Sequence, residues 1–503
     1  MLINQAVAKK FYDLILDVVM QTAMVSHKYI ESHNNIYGFT QYPIRHIMFP
    51  KNDPEYAELF QRIPFLIYDI PKFYTSKYPK ENIDYSGIFY NLYSGDTVNC
   101  TQFDAFNERL SFVSSDSELT AIILAEDSKS DISSKLKILI TDIVERYLFE
   151  TNATASVPDD LTEQLKHYTL QKMYRLFSEE LPILIYVPIC LATFEEDEIE
   201  LSDTISIIRI SEDIQKARHQ ACAYEVTNED WVAACATHMI VIKGYFYENS
   251  KDLSILVSTH SCNSYPLQEI EKVFASIRLV TGYSIGYEQL LTYPIGWIDR
   301  FHADLIPLYG AKSHSVNPRE IEKHWMDLPV KKIKKGQIQE IQKVYHNITT
   351  CQDEKKKHTL LFALKRYNRC VLRNEEDDMA TDATIGLEAL LAGGTKGEIT
   401  YTISNRIPVV FSHAKNNKFS NANCRAIMKK IYNYRSKIVH GGKMKDNEKF
   451  IEINRSNYSI CEVAVEFLRY TLLFMSEHQE FLDATKLDEY IDSVLVAKTK
   501  DPE

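Results

Sequence analysis

Glycine and proline are scarce, at 15 and 16 residues among 503. That excludes fibrous repeats and wholesale disorder. Long hydrophobic runs are missing too. The longest apolar stretch, Leu181 to Phe194, falls short of the roughly 20 residues that span a bilayer and contains Pro182 and Pro188. Met1 to Lys10 lacks a basic segment followed by an apolar core, so neither a signal peptide nor a membrane segment is expected. The nine cysteines are scattered, odd in number and form no C-x-x-C pair. Such spacing argues against a disulfide framework and against a zinc or other metal site; it fits reduced thiols in a cytoplasmic protein. Positive charge is in deficit, with 57 Lys and Arg against 69 Asp and Glu, a net of −12. A chain with that balance does not coat nucleic acid with its whole surface.

What is present is globular composition, 45% apolar and 25% charged, at a length that suggests about two to four domains. The charge is unevenly spread. Residues 331–503 carry 29 basic and 23 acidic residues, so the net charge divides into +6 there and −18 ahead of it. Within that third, Ile399 to Lys445 contains ten basic residues and no acid: Arg406, Lys415, Lys418, Arg425, Lys429, Lys430, Arg435, Lys437, Lys443 and Lys445. The segment reads either as a phosphate-binding surface or as a solvated basic face balanced by acids elsewhere.

The hydrophobic periodicity predicts a mainly α chain with an α+β middle. Residues 1–190 read as a mainly helical N-terminal region, 191–325 as a small α+β region and 326–503 as a helical domain. In the first, helices are expected over 4–32, 118–125, 131–150 and 159–179, with Asp131 and Asp159 as caps; 80–115 reads as loops or short strands. In the second, the β-branched stretches 198–210 and 238–259, with a turn at Asn249-Ser250, predict a small sheet flanked by helices near 211–222 and 266–279. Ala311 to Pro318 reads as a linker. In the third, helices are expected over 337–350, 354–373, 379–392, 421–440, 457–480 and 485–497, with Gly393-Gly394 and Gly441-Gly442 at C-caps.

The helix from Asn421 to His440 is the most informative. Ile427, Ile431, Tyr434 and Ile438 recur at spacings of four, three and four, one apolar stripe. At its end come Arg435-Ser436-Lys437-Ile438-Val439-His440-Gly441-Gly442. An imidazole can serve as base and acid near neutral pH, and a guanidinium grips phosphate with two parallel N–H groups. Arg319 with His324 and Arg406 with His413 have similar spacing. The former lies among Glu320 and Glu322, and the latter is interrupted by Pro408, which argues against a regular helix there. Glu388, in the apolar run Ile385 to Leu391, needs a partner; Arg435, Arg366 and Arg406 are the candidates. Tyr432 is a candidate for stacking on bases, and Tyr434 for the core.

The segment Tyr434 to Gly442 resembles the R-x(4–6)-H motif that ends HEPN ribonuclease domains, in the ApeA-like branch. Leu364-Lys365-Arg366-Tyr367 and Asp382 to Leu391, similar to the family's acidic helix, extend the resemblance over roughly 340–480. Ser436 stands where the family often has Asn, Asp or His. The resemblance implies a C-terminal HEPN bundle and an endoribonuclease that needs no metal or cofactor. It implies a homodimer or higher even oligomer with a composite cleft, active in abortive anti-phage defence. RNA is the expected partner, with tRNA a recurrent substrate in the family, and a phage-encoded trigger is open. Arg435 and His440 would be catalytic, Ser436 and Glu388 auxiliary, and Arg425, Lys429, Lys430, Lys437, Lys443 and Lys445 RNA-binding. The N-terminal region would sense or restrain. Two alternatives are a non-catalytic HEPN scaffold for RNA or protein, and a HEPN toxin restrained by a nucleotide-modifying partner.

One geometric difficulty is visible in advance: positions five apart on a straight helix point about 140° apart, so either the Gly441-Gly442 pair ends the helix and bends its direction at His440, or two chains each contribute residues. Gly282-Tyr283-Ser284-Ile285-Gly286 matches the G-x-S-x-G nucleophile elbow, which needs a strand before it and a helix after it. Gly393-Gly394-Thr395-Lys396-Gly397 lacks the spacing of a phosphate loop.

Overall fold

The computed structural model describes residues 5–33, 85, 87–90, 96–124, 131–211, 213–215, 217–218, 233, 236–249, 259–298, 306–317, 331–393, 399–413, 419, 421–442, 444–445 and 448–500. The chain is mostly helical, with an antiparallel sheet in its middle and helices again at its C-terminal end. No described helix is long and apolar enough to cross a membrane.

The N-terminal layer comprises α1 (Gln5–Ser32), α2 (Asp104–Ser115), α3 (Ser117–Leu124), α4 (Ile132–Glu150) and α5 (Leu161–Phe177). Phe11, Ile15, Val18 and Val19 of α1 are fully buried, as a 3.6-residue stripe requires. Asp131 caps α4 by accepting from the Ser133 and Ser134 amides. The expected cap at Asp159 falls instead on Asp160, whose carboxylate takes the Gln164 side chain rather than a backbone amide. The 80–115 stretch is also corrected, because α2 occupies its end. Phe106 and Val113, both fully buried, supply a narrow apolar stripe within a polar-looking sequence.

The middle is a six-stranded sheet in the order β3-β4-β5-β1-β6-β7, antiparallel throughout. Its strands are β1 (Glu180–Pro188), β3 (Glu198–Glu200), β4 (Ile205–Arg209), β5 (His238–Glu248), β6 (Tyr287–Pro294) and β7 (Tyr309–Ser315); β2 (Ala192–Phe194) pairs in parallel with β8 (Lys331–Ile333). The longest apolar run thus forms the central strand β1, which lies ahead of residue 191. The linker expected at 311–318 is largely strand β7, whose Ala311 is buried against the same core as Leu290. Of the helix expected near 211–222, residues 213–215, 217 and 218 are helical and Ser211 is not; 212, 216, 219–222 and Ser250 lie outside the described residues. Asn249 receives Arg175 at 2.6 Å and donates to the Arg175 and Ser178 carbonyls, tying the sheet to α5.

Helix α6 (Leu267–Thr281) ends at Gly282, whose φ of 69° is left-handed and therefore favours glycine. The chain then enters β6. The G-x-S-x-G match accordingly sits after a helix and before a strand, the reverse of a nucleophile elbow.

The C-terminal part packs α7 (Lys335–Thr349), α8 (Glu354–Leu372), α9 (Glu376–Leu391), α10 (Ile399–His413), α11 (Asn421–Val439), α12 (Ile460–Glu477) and α13 (Ala484–Lys500). Ala275 and Leu279 of α6 belong to the same core. Pro408 lies inside α10, contrary to the expectation of a break. A proline forfeits one helical hydrogen bond, but Ile403, Ile407, Val410 and Phe411 are buried on one side and hold the helix in the bundle. The hairpin β9 (Phe450–Ile453) and β10 (Ser456–Ser459) turns through Asn454 and Arg455, both with positive φ as in a type I′ turn. It delays α12, expected from 457, to Ile460, where the Ser459 side chain accepts from the Cys461 amide.

Candidate functional site

Helix α11 has one apolar and one polar side. Ile427, Met428, Ile431, Tyr432 and Tyr434 are buried. Arg425, Lys429, Asn433, Ser436 and His440, at spacings of four, four, three and four, are all exposed and share the opposite face. The helix stops in a Schellman turn. The Gly441 amide donates to the Ile438 carbonyl at 3.0 Å and the Gly442 amide to the Lys437 carbonyl at 2.8 Å. Gly441 has φ 67°, the left-handed conformation this turn needs. His440 is the last residue whose amide makes the α-helical bond four residues back, to Ser436 at 3.2 Å. Its exposed ring makes no hydrogen bond with a described residue.

Arg435 lies on a different row, Met428–Tyr432–Arg435–Val439, which climbs from full burial to 52% exposure. It is half-buried, and its Nε is buried without a hydrogen-bond partner among the described residues. The structure does not bring Arg435 and His440 onto one face of α11. His440 continues the helical turn, so the offset of about 140° persists.

Glu388 has another partner than an arginine. Tyr432 Oη donates to Glu388 Oε1 at 2.8 Å. Arg366 pairs with the buried Asp382 at 2.7 Å. Arg406 makes a bidentate pair with Asp488, at 2.8 and 2.6 Å, and also donates to the Leu391 carbonyl. Both are committed elsewhere. Tyr432, expected as a stacking platform, is only 7% exposed and anchors Glu388 instead; Tyr434 is buried, as expected, and donates to Asp377 at 2.8 Å. Burial, followed by the bond to Glu388 and that carboxylate's charge, pushes the Tyr432 phenol far above its ordinary value, while the Arg435 charge pulls the other way. Tyr432 therefore stays a protonated donor at any physiological pH.

The basic segment is less free of acid in space than along the chain. Glu448 folds back to pair with Lys437 at 2.6 Å and accepts from the Lys445 amide at 3.0 Å. The Lys437 bond, followed by the Lys445 amide, holds its carboxyl below the usual range. Lys429 and Lys430 are exposed and make no ion pair with a described residue, and Arg425 rests over the Tyr401 ring. Lys443 and the pair Arg319 and His324 lie outside the described residues. The pairing of Tyr432 with Glu388 had one signal in the sequence: Met428 and Tyr432, four apart, widen the apolar stripe of α11 by a row.

No group of three or more His, Cys, Asp or Glu that could hold a metal ion occurs among the described residues. A cavity of about 840 Å³ lies between α4, α5 and the end of β6, lined by Arg146, His167, Gln171, Tyr293 and Trp297 among others. None of the expected functional residues borders it. Comparison with known proteins finds no matching family model, curated protein or solved structure.

Replacing Tyr432 with Phe strips a part-buried carboxylate of its donor. The expected cost is about 1–2 kcal/mol in urea-induced unfolding. Tyr432→Phe combined with Glu388→Leu is expected to recover most of it. An unchanged urea midpoint in the single variant would show that the bond contributes nothing.

Proposed function

We propose that this chain is an ApeA-like HEPN endoribonuclease, cytoplasmic and at least dimeric, that cuts RNA without a metal at a composite site. The observation that carries the reading is the half-buried Arg435, without an ion pair among the described residues, one row away from an exposed face ending in His440. The remaining residues of that face, Arg425, Lys429, Asn433 and Ser436, offer phosphate and hydroxyl contacts along the helix.

In the proposed reaction the His440 imidazole takes the proton from a ribose 2′-hydroxyl. The 2′-oxygen attacks the adjacent phosphorus, and a 2′,3′-cyclic phosphate forms as the bond from phosphorus to the 5′-oxygen breaks. An imidazolium returns a proton to that leaving oxygen. Arg435 supplies two N–H groups and a fixed positive charge to the phosphorane. Ser436, one turn before His440, orients the imidazole or the phosphate. Glu388 is auxiliary and acts through Tyr432. One chain presents Arg435 and His440 in different directions, so each active site takes the arginine of one subunit and the histidine of another. The acidic N-terminal two-thirds senses or restrains, and a phage component is the trigger in an abortive response.

The same divergence of Arg435 and His440 favours the second reading, a HEPN-like scaffold that binds RNA or protein without cutting. The two readings separate in one assay. Total tRNA is incubated in EDTA with the protein and with its His440→Ala and Arg435→Ala variants. Cyclic-phosphate ends from the parent and about 100-fold less from either variant are expected. Where the purified parent needs its trigger, growth arrest on expression that His440→Ala abolishes is the equivalent result. Equal cleavage by all three, or arrest that survives both substitutions, would remove these residues from the chemistry.

Charge reversal at Lys429 and Lys430 tests the surface. Filter binding across a salt series is expected to show weaker RNA binding and a shallower dependence on log salt, by about 0.7 for each lost phosphate contact on a single strand. Unchanged affinity and slope would show that RNA does not cross this face.

A further inference from the structure

Tyr401 sits in the first turn of α10 and is 55% exposed. It is the most exposed of the large hydrophobic side chains among the described residues. The Arg425 guanidinium carbon lies 5.8 Å from its ring centroid. Neither side chain makes a hydrogen bond or ion pair with another described residue. A tyrosine left in water beside an unpaired arginine gains little for the fold, because an exposed cation–π contact is worth only about 0.5–1 kcal/mol. The same pair is well matched to one nucleotide, with a ring for a base to stack on and a fork of N–H groups for its phosphate.

The position of the pair along α11 is informative. Arg425 begins the exposed row Arg425–Lys429–Asn433–Ser436–His440, so it lies 15 residues, about 22 Å of helix, before the histidine. The row leads from Tyr401 and Arg425 to His440 without crossing a buried side chain, and Lys429 stands between as a further cation.

We propose that Tyr401 and Arg425 form a subsite for one unpaired base and its phosphate, so that the substrate is single-stranded RNA running along α11 toward His440. This deepens the ribonuclease reading and rests on it for the direction of the strand. A duplex cannot use the subsite, because its bases are already stacked on each other and offer no free face. Stacking accepts any base, so the subsite selects for lack of pairing rather than for sequence.

The test is fluorescence anisotropy with a labelled uridine oligonucleotide and with a duplex of equal length, on the full chain carrying His440→Ala to prevent cutting. Tyr401→Ala is expected to weaken single-strand binding about tenfold and leave duplex binding unchanged. Tyr401→Phe retains the parent affinity, and Tyr401→Trp gains an emission that the single strand quenches. Light scattering on each variant covers the other occupant of an exposed aromatic, a second copy of this chain. A Tyr401→Ala variant that loses oligomer mass would make the surface an interface and overturn the subsite. Equal single-strand affinity in Tyr401→Ala and parent would also overturn it, as would a parent that binds no single strand. Failure of the ribonuclease reading is distinguishable: RNA binding would depend on Tyr401 while the protein with His440 intact cuts nothing.

Discussion

The Glu388 carboxylate accepts from the Tyr432 hydroxyl at 2.8 Å and from no arginine among the described residues, and the proposed site is arranged around that pair. A carboxylate beside a guanidinium ordinarily neutralises it in a bidentate pair, as Asp488 does for Arg406. Here a buried phenol holds one carboxylate oxygen, Oε1. The adjacent Arg435 is left at the border of core and solvent with its Nε unsatisfied among the described residues. In the proposed reaction this guanidinium receives the phosphate. The bundle supplies the rigidity: the buried rows of α11 fix the rotation of the helix, and the turn at Gly441 and Gly442 fixes where His440 leaves it.

That rotation also sets the oligomeric logic of the proposal. Arg435 belongs to a row that climbs out of the core, and His440 to the row that faces water. Side chains about 140° apart on one rigid helix do not converge on one phosphorus atom. In the proposed reaction the catalytic pair is therefore shared between two subunits, and the exposed row from Arg425 to His440 is the surface proposed for RNA.

Much of the helical organisation is legible in the chain itself. The apolar stripes of α1 and α11, the Asp131 cap and the Gly441 turn follow from local chemistry that acts within a few residues. The failures are non-local. Strand β7 contains Ser, His and Lys and reads as a linker, yet it is a strand because β6 offers it hydrogen bonds. Helix α10 survives Pro408 because the bundle buries its apolar side. At the candidate site, the residue types and the exposed face of α11 could be read directly. The partner of Glu388 could not, since three arginines were equally plausible on charge and a tyrosine won on packing. Glu448, just beyond the acid-free segment, neutralises Lys437 through a fold-back that spacing alone does not reveal.

The central claim is that one site draws its guanidinium and its imidazole from two chains. Arg435→Ala and His440→Ala subunits, each inactive alone, would be co-expressed and the mixed oligomer assayed for cyclic-phosphate ends on RNA. One site of each mixed pair then keeps both groups, and recovery of a substantial part of the parent activity is the expected result. A mixed oligomer as inactive as either variant would contradict the shared site.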